Sequence, residues 1–332
     1  MEEGQKAIEL DPDFAIGYEN LGFAWLYQDR LTEAEAVLHK ASERKIDAVP
    51  LSLLRYFIAF LRNDKAAMDR ETTQRREKLE AQGGFENQEA LTLAYQGRLR
   101  DADRLSERAE SLAAQAHLSE RAAMFAGARA AWNALFENRM EAKGSAGAAL
   151  ALHQSGDADY GPAFALALSR DTAKAHEIEV DLAKNYPEDT SVQFSYLPVL
   201  RALEALNLRD PAKALEITQA AKLYDLAIPG TAHTNGSLFG ALYPVYVRGL
   251  AYSQMGRHRE AAAEFQKMLD HPGLMRNDPV GPMARLQLAR ALFASGDRAK
   301  SAAAYKELLA IWKDADSDIP LIQEARADAG KL

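Results

Sequence analysis

Residues 15–48, AIGYENLGFAWLYQDRLTEAEAVLHKASERKIDA, contain apolar residues at the spacing of two successive amphipathic helices. Gly22 on the first helix and Ala34 on the second are small enough to let the two helices approach closely where they cross. The larger apolar residues fill the space between neighbouring hairpins. The stretch therefore predicts a helical hairpin, with one face formed by Tyr18, Leu21, Gly22 and Trp25 and the other by Ala34, Leu38 and Ala41.

The same pair of crossing positions returns along the chain, always twelve residues apart. Seven further pairs follow the first, and one of them departs from small residues and is placed mainly by its spacing of 34 residues from its neighbours. A hairpin buries its apolar face only by stacking on the next one. We therefore predict eight stacked hairpins, whose later pairs are Tyr56/Met68, Ala90/Ala102, Ala130/Ala142, Ala163/Ala175, Ala202/Ala214, Gly249/Ala261 and Ala289/Ser301.

Polar residues and glycines at the ends of these segments predict where the helices start and stop. Thr32 and Glu35 form the S/T-x-x-E signature of a capping box at the start of a second helix. Aspartates at three other second-helix starts are typical N-cap residues. The glycine-containing stretches 144–147 (GSAG) and 294–297 (ASGD) are expected to be helix-to-helix turns. The three aspartates are Asp171, Asp210 and Asp297.

The pattern resembles the tetratricopeptide repeat, a helix-turn-helix unit of about 34 residues. The resemblance implies an all-α fold, a right-handed α-solenoid of about eight hairpins in a single domain, 1–332. Residues 1–14 are expected to be an orphan helix, the end of a truncated preceding repeat, and residues 15–314 the repeats. Residues 315–332 are expected to be a capping helix with Ile319, Leu321, Ile322 and Ala325 turned inward.

Composition excludes several functional classes. Hydrophobic residues make up 48% of the 332 residues, which excludes a disordered chain. The net charge is −8 with no basic block, so we expect no nucleic-acid partner. The absence of cysteine excludes disulfides, zinc–thiolate sites and thiol catalysis. No apolar run approaches the ~20 residues needed to cross a bilayer, so we expect no membrane insertion by this segment.

Candidate chemistry is sparse. No two of the seven histidines have the i, i+4 spacing of a helical metal pair, so we expect them to be exposed and structural. Asp314, Asp316 and Asp318 imitate the start of a calcium loop, but Ile319 and Ala325 stand where the loop needs Gly and a bidentate acid. This run is expected to be a polar connector that caps the last helix. The sequence predicts no enzyme, no cofactor and no metal.

A concave face is the remaining candidate site, because first helices line the inner side in the repeat family that this chain resembles. Aromatic side chains on such a wall can hold an extended peptide or a helix. The alternative is that these rings pack between helices. Positions counted from the repeat motif give Phe23, Phe57, Tyr160, Phe164, Tyr196, Tyr243, Tyr246 and Arg290 as candidate partner-binding residues.

Residues 186–217 and 242–274 resemble a narrower family, the C-terminal repeat region of bacterial serine/threonine protein kinases. The kinase motifs themselves are absent from this chain. The resemblance implies the regulatory or sensory region of a signalling protein, binding a peptide or partner domain, in an extracytoplasmic or a cytoplasmic setting. Two alternatives stay open: a small-molecule sensor with its ligand under the loop 225–241, and an all-helical enzyme.

Overall fold

The computed structural model describes residues 1–75, 83–229 and 241–332. These ranges contain nineteen α-helices and no strand. The helices are α1 (Glu2–Leu10), α2 (Ala15–Leu26), α3 (Leu31–Glu43), α4 (Val49–Leu61), α5 (Lys65–Arg75), α6 (Gly84–Tyr95), α7 (Leu99–Gln115), α8 (Ser119–Leu135), α9 (Arg139–Leu152), α10 (Gly156–Leu168), α11 (Thr172–Asn185), α12 (Leu197–Asn207), α13 (Pro211–Ala220), α14 (Tyr243–Gln254), α15 (His258–Leu269), α16 (Pro272–Met275), α17 (Val280–Ala294), α18 (Arg298–Ile311) and α19 (Pro320–Ala329).

Each predicted crossing pair joins two consecutive helices, so the eight hairpins and their register are confirmed. Every crossing residue is buried except Met68, which is half-buried. At the last crossing the contact is polar, because the Ser301 hydroxyl donates to the Ala289 carbonyl oxygen at 2.8 Å. The eight hairpins are α2/α3, α4/α5, α6/α7, α8/α9, α10/α11, α12/α13, α14/α15 and α17/α18.

Each of the two crossing glycines lies too close to a neighbouring side chain to be replaced by a larger residue. A Cβ atom on Gly249 would lie 2.6 Å from Cε1 of Phe265, within the same hairpin. A Cβ atom on Gly22 would lie 2.4 Å from Cδ2 of Leu54, in the next hairpin. Both distances are far below van der Waals contact. Small residues therefore set the approach within hairpins and also between them.

Every turn between the two helices of a hairpin is built in the same way. Seven residues after the first crossing residue, as from 22 to 29, the backbone takes a positive φ between 56° and 91°. The next N–H then donates to the carbonyl five residues back, as from Arg30 to Trp25 at 3.0 Å. This is the Schellman ending of a helix, which favours glycine. The residues with positive φ are Asp29, Asn63, Gly97, Glu137, Arg170, Arg209, Gly256 and Gly296.

The predicted caps are confirmed in part. Asp210 and Asp297 accept the backbone N–H groups of Lys213 and Lys300, as N-caps do. Asp171 occupies the N-cap position of α11 without a side-chain cap bond. The capping box was wrong, because α3 starts at Leu31 with Arg30 before it and no side-chain cap, which places Thr32 inside the helix.

The two glycine stretches differ. Residues 294–297 form the α17–α18 turn as predicted, with Gly296 at φ 91°. The prediction for residues 144–147 was wrong, because they lie inside α9, where a Cβ atom added to Gly144 or Gly147 would have no neighbour within 4 Å. Ala142, Ser145, Ala146 and Ala149 supply the buried face of that helix, so its glycines fall on the exposed side.

The stack has a helix at each end beyond the hairpins. α1 packs against α2, with its Gly4 against Leu21. α19 buries Leu321, Ile322 and Ala325 as expected, and Ile319 is partly buried just before it. The all-α solenoid of helical hairpins is therefore confirmed. No helix in the described ranges is both long enough and apolar enough to span a bilayer.

The shared turn geometry predicts opposite effects of two substitutions. Arg170→Gly should raise the free energy of unfolding by about 0.5–1 kcal/mol, because arginine at φ 62° is strained and glycine is not. Gly256→Ala should lower it by about 1 kcal/mol through the backbone alone, since no atom lies within 4 Å of the added Cβ. Urea denaturation measures both, and equal shifts would contradict the prediction.

Candidate partner-binding surface

The predicted aromatic residues are buried, so the expectation that their rings line an exposed wall was wrong. None of the seven is more than 4% exposed. In the described structure their rings have no free surface to offer a partner. The seven are Phe23, Phe57, Tyr160, Phe164, Tyr196, Tyr243 and Tyr246.

These rings pack against one another between hairpins, which was the alternative interpretation. Tyr160 and Tyr196 stack with their centroids 4.0 Å apart, and the Phe164 and Tyr243 rings meet edge to face at 4.8 Å. Burial raises the pKa of the Tyr160, Tyr196 and Tyr243 phenols well above the ordinary value. The aromatic residues of the first helices are therefore a core that holds hairpins together.

The inner face is covered by a segment of the same chain. Residues 271–281, here called the inner segment, run from just after α15 into the first turn of α17 and include the short α16. The Gly273 N–H donates to Oδ1 of Asp29 at 2.6 Å, across 244 positions of sequence. A Cβ on Gly273 would lie 1.9 Å from the Leu26 carbonyl oxygen. The inner segment thus packs directly on the first hairpin, with its backbone in contact with the backbone of that hairpin.

Polar groups of the inner segment are paired with the inner wall. The Asn277 side-chain amide donates to the Gln88 carbonyl at 2.9 Å and to the Thr92 hydroxyl at 3.1 Å. The Tyr243 hydroxyl donates to Oδ1 of Asp278 at 3.1 Å. Because buried amide and carboxylate groups are costly unless hydrogen-bonded, these pairs fix one position of the segment against the inner wall.

Arg276 is the buried cation of the inner segment. It is 3% exposed, and its guanidinium carbon lies 5.2 Å from the Phe57 ring centroid and 5.6 Å from that of Tyr27. Two aromatic faces stabilise the charge by cation–π attraction. Its backbone has φ 51°, an uncommon value for a side chain this long. Arg276 therefore joins the inner segment to the first two hairpins.

The last hairpin also docks on the middle of the chain. The Trp312 indole N–H donates to the Tyr95 carbonyl at 3.2 Å, and the Asp316 N–H donates to the Gly97 carbonyl at 3.0 Å. Asp316 in turn accepts the Arg100 N–H, and Asp318 pairs with the Arg100 guanidinium. The expectation that these acids cap the last helix was wrong, because α19 has Ile319 at its N-cap and no side-chain cap bond.

Arg290 differs from the aromatic candidates. Its side chain is 30% exposed and lies 3.2 Å from Glu324 and 3.6 Å from Asp328, both on α19. It therefore ties the last hairpin to the terminal helix. A role for Arg290 in partner binding stays a prediction.

An open groove lies between the second helices of the last two hairpins. This outer groove has a volume of about 710 Å³ and joins a second opening of about 740 Å³ at the α17–α18 turn. Residues from α15, α17 and α18 line it. Its floor is apolar and made of small or branched side chains, Ala262, Leu288, Leu292 and Ala304.

The rim of the outer groove is positively charged. Arg285 and Lys300 are paired with Glu307 and Asp297 respectively. Arg259 is exposed and has no ion-pair partner in the described part of the chain. A cationic edge beside an apolar floor stands out on a chain with a net charge of −8. Helix periodicity could not reveal this surface, because its residues come from three helices.

The loop 225–241 falls largely outside the described residues, and with it the predicted ligand under that loop. Its described start is a buried ion cluster. Asp225 accepts hydrogen bonds from Arg248 at 3.1 and 2.6 Å and from Lys267 at 2.7 Å. Glu264 also contacts Arg248 at 2.8 Å, so two acids balance two cations there.

The close packing of the inner segment on the first hairpin predicts that adding one methyl group at Gly273 strongly affects stability and shape. Gly273→Ala should lower the free energy of unfolding by about 1–3 kcal/mol and raise the radius of gyration, because the Cβ cannot fit beside the Leu26 carbonyl. Small-angle X-ray scattering and urea denaturation measure the two effects. Gly147→Ala, on the exposed side of α9, is the matched control and should stabilise the helix slightly. Equal changes in stability and radius of gyration for the two variants would contradict the packing of the inner segment on the first hairpin.

Comparison with known proteins gives several structural likenesses, and two of them are described here. No family model and no curated protein matches the chain. The crystal structure of yeast Tom70 is 13% identical with a TM-score of 0.44, over 99% of this chain and 84% of that one. The TPR domain of P58(IPK) is 14% identical with a TM-score of 0.30, over 95% and 96%. Likenesses at these identities and TM-scores carry no functional conclusion for this chain.

Proposed function

We propose that this protein is a protein–protein interaction scaffold that binds its partner in the outer groove. The observation that supports the proposal is the contrast between the two faces of the stack. The inner wall is packed by the inner segment, whereas the outer groove offers about 710 Å³ of open, apolar-floored space. A partner on the inner wall would first have to displace Arg276 and Asn277 from their buried contacts.

The chemistry of the groove favours an amphipathic helix with acidic side chains. Its floor of alanine and leucine accepts an apolar stripe, as helix-in-groove recognition requires. Arg259 is exposed at the rim and has no ion pair with the residues that the structure describes, so a carboxylate of the partner would meet it there. Charge complementarity of this kind adds specificity and speeds association.

We further propose that the scaffold is the regulatory or sensory region of a bacterial signalling protein linked to a serine/threonine kinase. The support is the sequence resemblance of residues 186–217 and 242–274 to the repeat regions of such kinases. The reading frame upstream of Met1 tests this link. A kinase domain there would support it, and an unrelated domain would contradict it.

Selection from a displayed peptide library tests the groove. The immobilised full chain should enrich acidic amphipathic helices, and Arg259→Glu should weaken the best binder about tenfold. That factor corresponds to about 1.4 kcal/mol, the sum of one lost rim attraction and one new repulsion. Fluorescence anisotropy measures the dissociation constants.

Lys306→Glu is the matched control, because it makes the same charge change on α18 at an exposed position that does not line the groove. Its binding should stay within about twofold of the parent, because an exposed charge outside the groove lining is largely screened by salt. Binders that respond equally to both variants, or to neither, would rule out the outer groove.

A further inference from the structure

Three potential metal ligands converge between two successive hairpins, away from the outer groove. His176 and Glu179 lie one turn apart on α11, and Glu204 lies on α12. Nδ1 of His176 is 3.3 Å from Oε2 of Glu179 and 3.5 Å from Oε2 of Glu204. The three ligand atoms all lie within 4.8 Å of one another.

The two separations from Nδ1 of His176 fit the edges of a small coordination polyhedron. Zinc binds imidazole nitrogen and carboxylate oxygen at about 2.0–2.2 Å, and it prefers tetrahedral geometry. The edge of such a tetrahedron is about 1.6 times the bond length, or roughly 3.3–3.6 Å. The two distances from Nδ1 of His176 match this edge without any movement of the backbone.

A cavity of matching size lies at the same place. It has a volume of about 10 Å³, and all three candidate ligands line it together with Thr172 and Asn207. This is about the space that one water molecule or one ion occupies. The cavity is a second observation, independent of the distances, that points to a single small occupant.

One carboxylate is held in a ligating orientation. Glu179 is 6% exposed overall, and its Oε1 accepts a hydrogen bond from Nε of Arg201 at 2.7 Å. The bond fixes the carboxylate and leaves Oε2 directed at His176. Outer-shell hydrogen bonds of this kind orient ligands in metal sites.

We propose that His176, Glu179 and Glu204 bind one divalent transition-metal ion, Zn²⁺, with a fourth position open to solvent. Nδ1 of His176 and one oxygen of each glutamate are the ligands. The ion would join α11 of one hairpin to α12 of the next. Histidine spacing within one helix could not indicate this arrangement, because one ligand comes from the following hairpin.

Zinc binding to the metal-free full chain tests the proposal. Isothermal titration calorimetry should show one Zn²⁺ per chain, and thermal unfolding should shift upward with zinc because a ligand bound only by the folded state stabilises it. His176→Ala and Glu204→Gln should each weaken binding at least tenfold. Both residues are partly exposed, so the variants should fold, which circular dichroism checks.

His39→Ala is the matched control. His39 lies 3.5 Å from Glu43, so it forms the same kind of histidine–glutamate pair without a second carboxylate. It should bind zinc as the parent does. Failure of the parent to bind zinc, or binding unchanged in His176→Ala, would overturn the proposal and leave an ordinary ion pair. Neither result would bear on the outer groove, which shares no residue with this site.

Discussion

The close approach of two helices at small crossing residues is the constraint on which this structure depends. Gly249 against Phe265 and Gly22 against Leu54 leave no room for even a methyl group. The spacing of twelve residues between crossing positions then leaves a turn of fixed length, and the left-handed residue seven positions after the first crossing closes it. This geometry occurs in eight hairpins, seven of them with small residues at both crossing positions, and it generates the stack.

Curvature of the stack brings distant hairpins together, and the inner segment contacts several of them at once. The inner segment contacts Asp29, Gln88 and Tyr243, which belong to three different hairpins. The aromatic rings of the first helices are therefore part of the interior.

Much of the fold could be predicted from the sequence because its causes are local. The crossing pairs, the caps at Asp210 and Asp297, and the terminal helix are all set by residues within a few turns of each other. The candidate site could not be predicted in this way. Whether Tyr160 or Tyr243 faces solvent depends on residues 271–281, which lie about thirty or more positions further on. The local signal there was Pro272, Gly273 and Pro279, which mark a break in helical periodicity.

The bond between Gly273 and Asp29 has a mechanical consequence. In a linear repeat array each repeat contacts only its neighbours, so the repeats can unfold one at a time from either end. Here the first hairpin is tied to the linker before the last one, so these two parts of the array cannot open independently. Opening the first hairpin must break a contact that spans most of the chain, and we expect the hairpins between residues 29 and 273 to resist unfolding together.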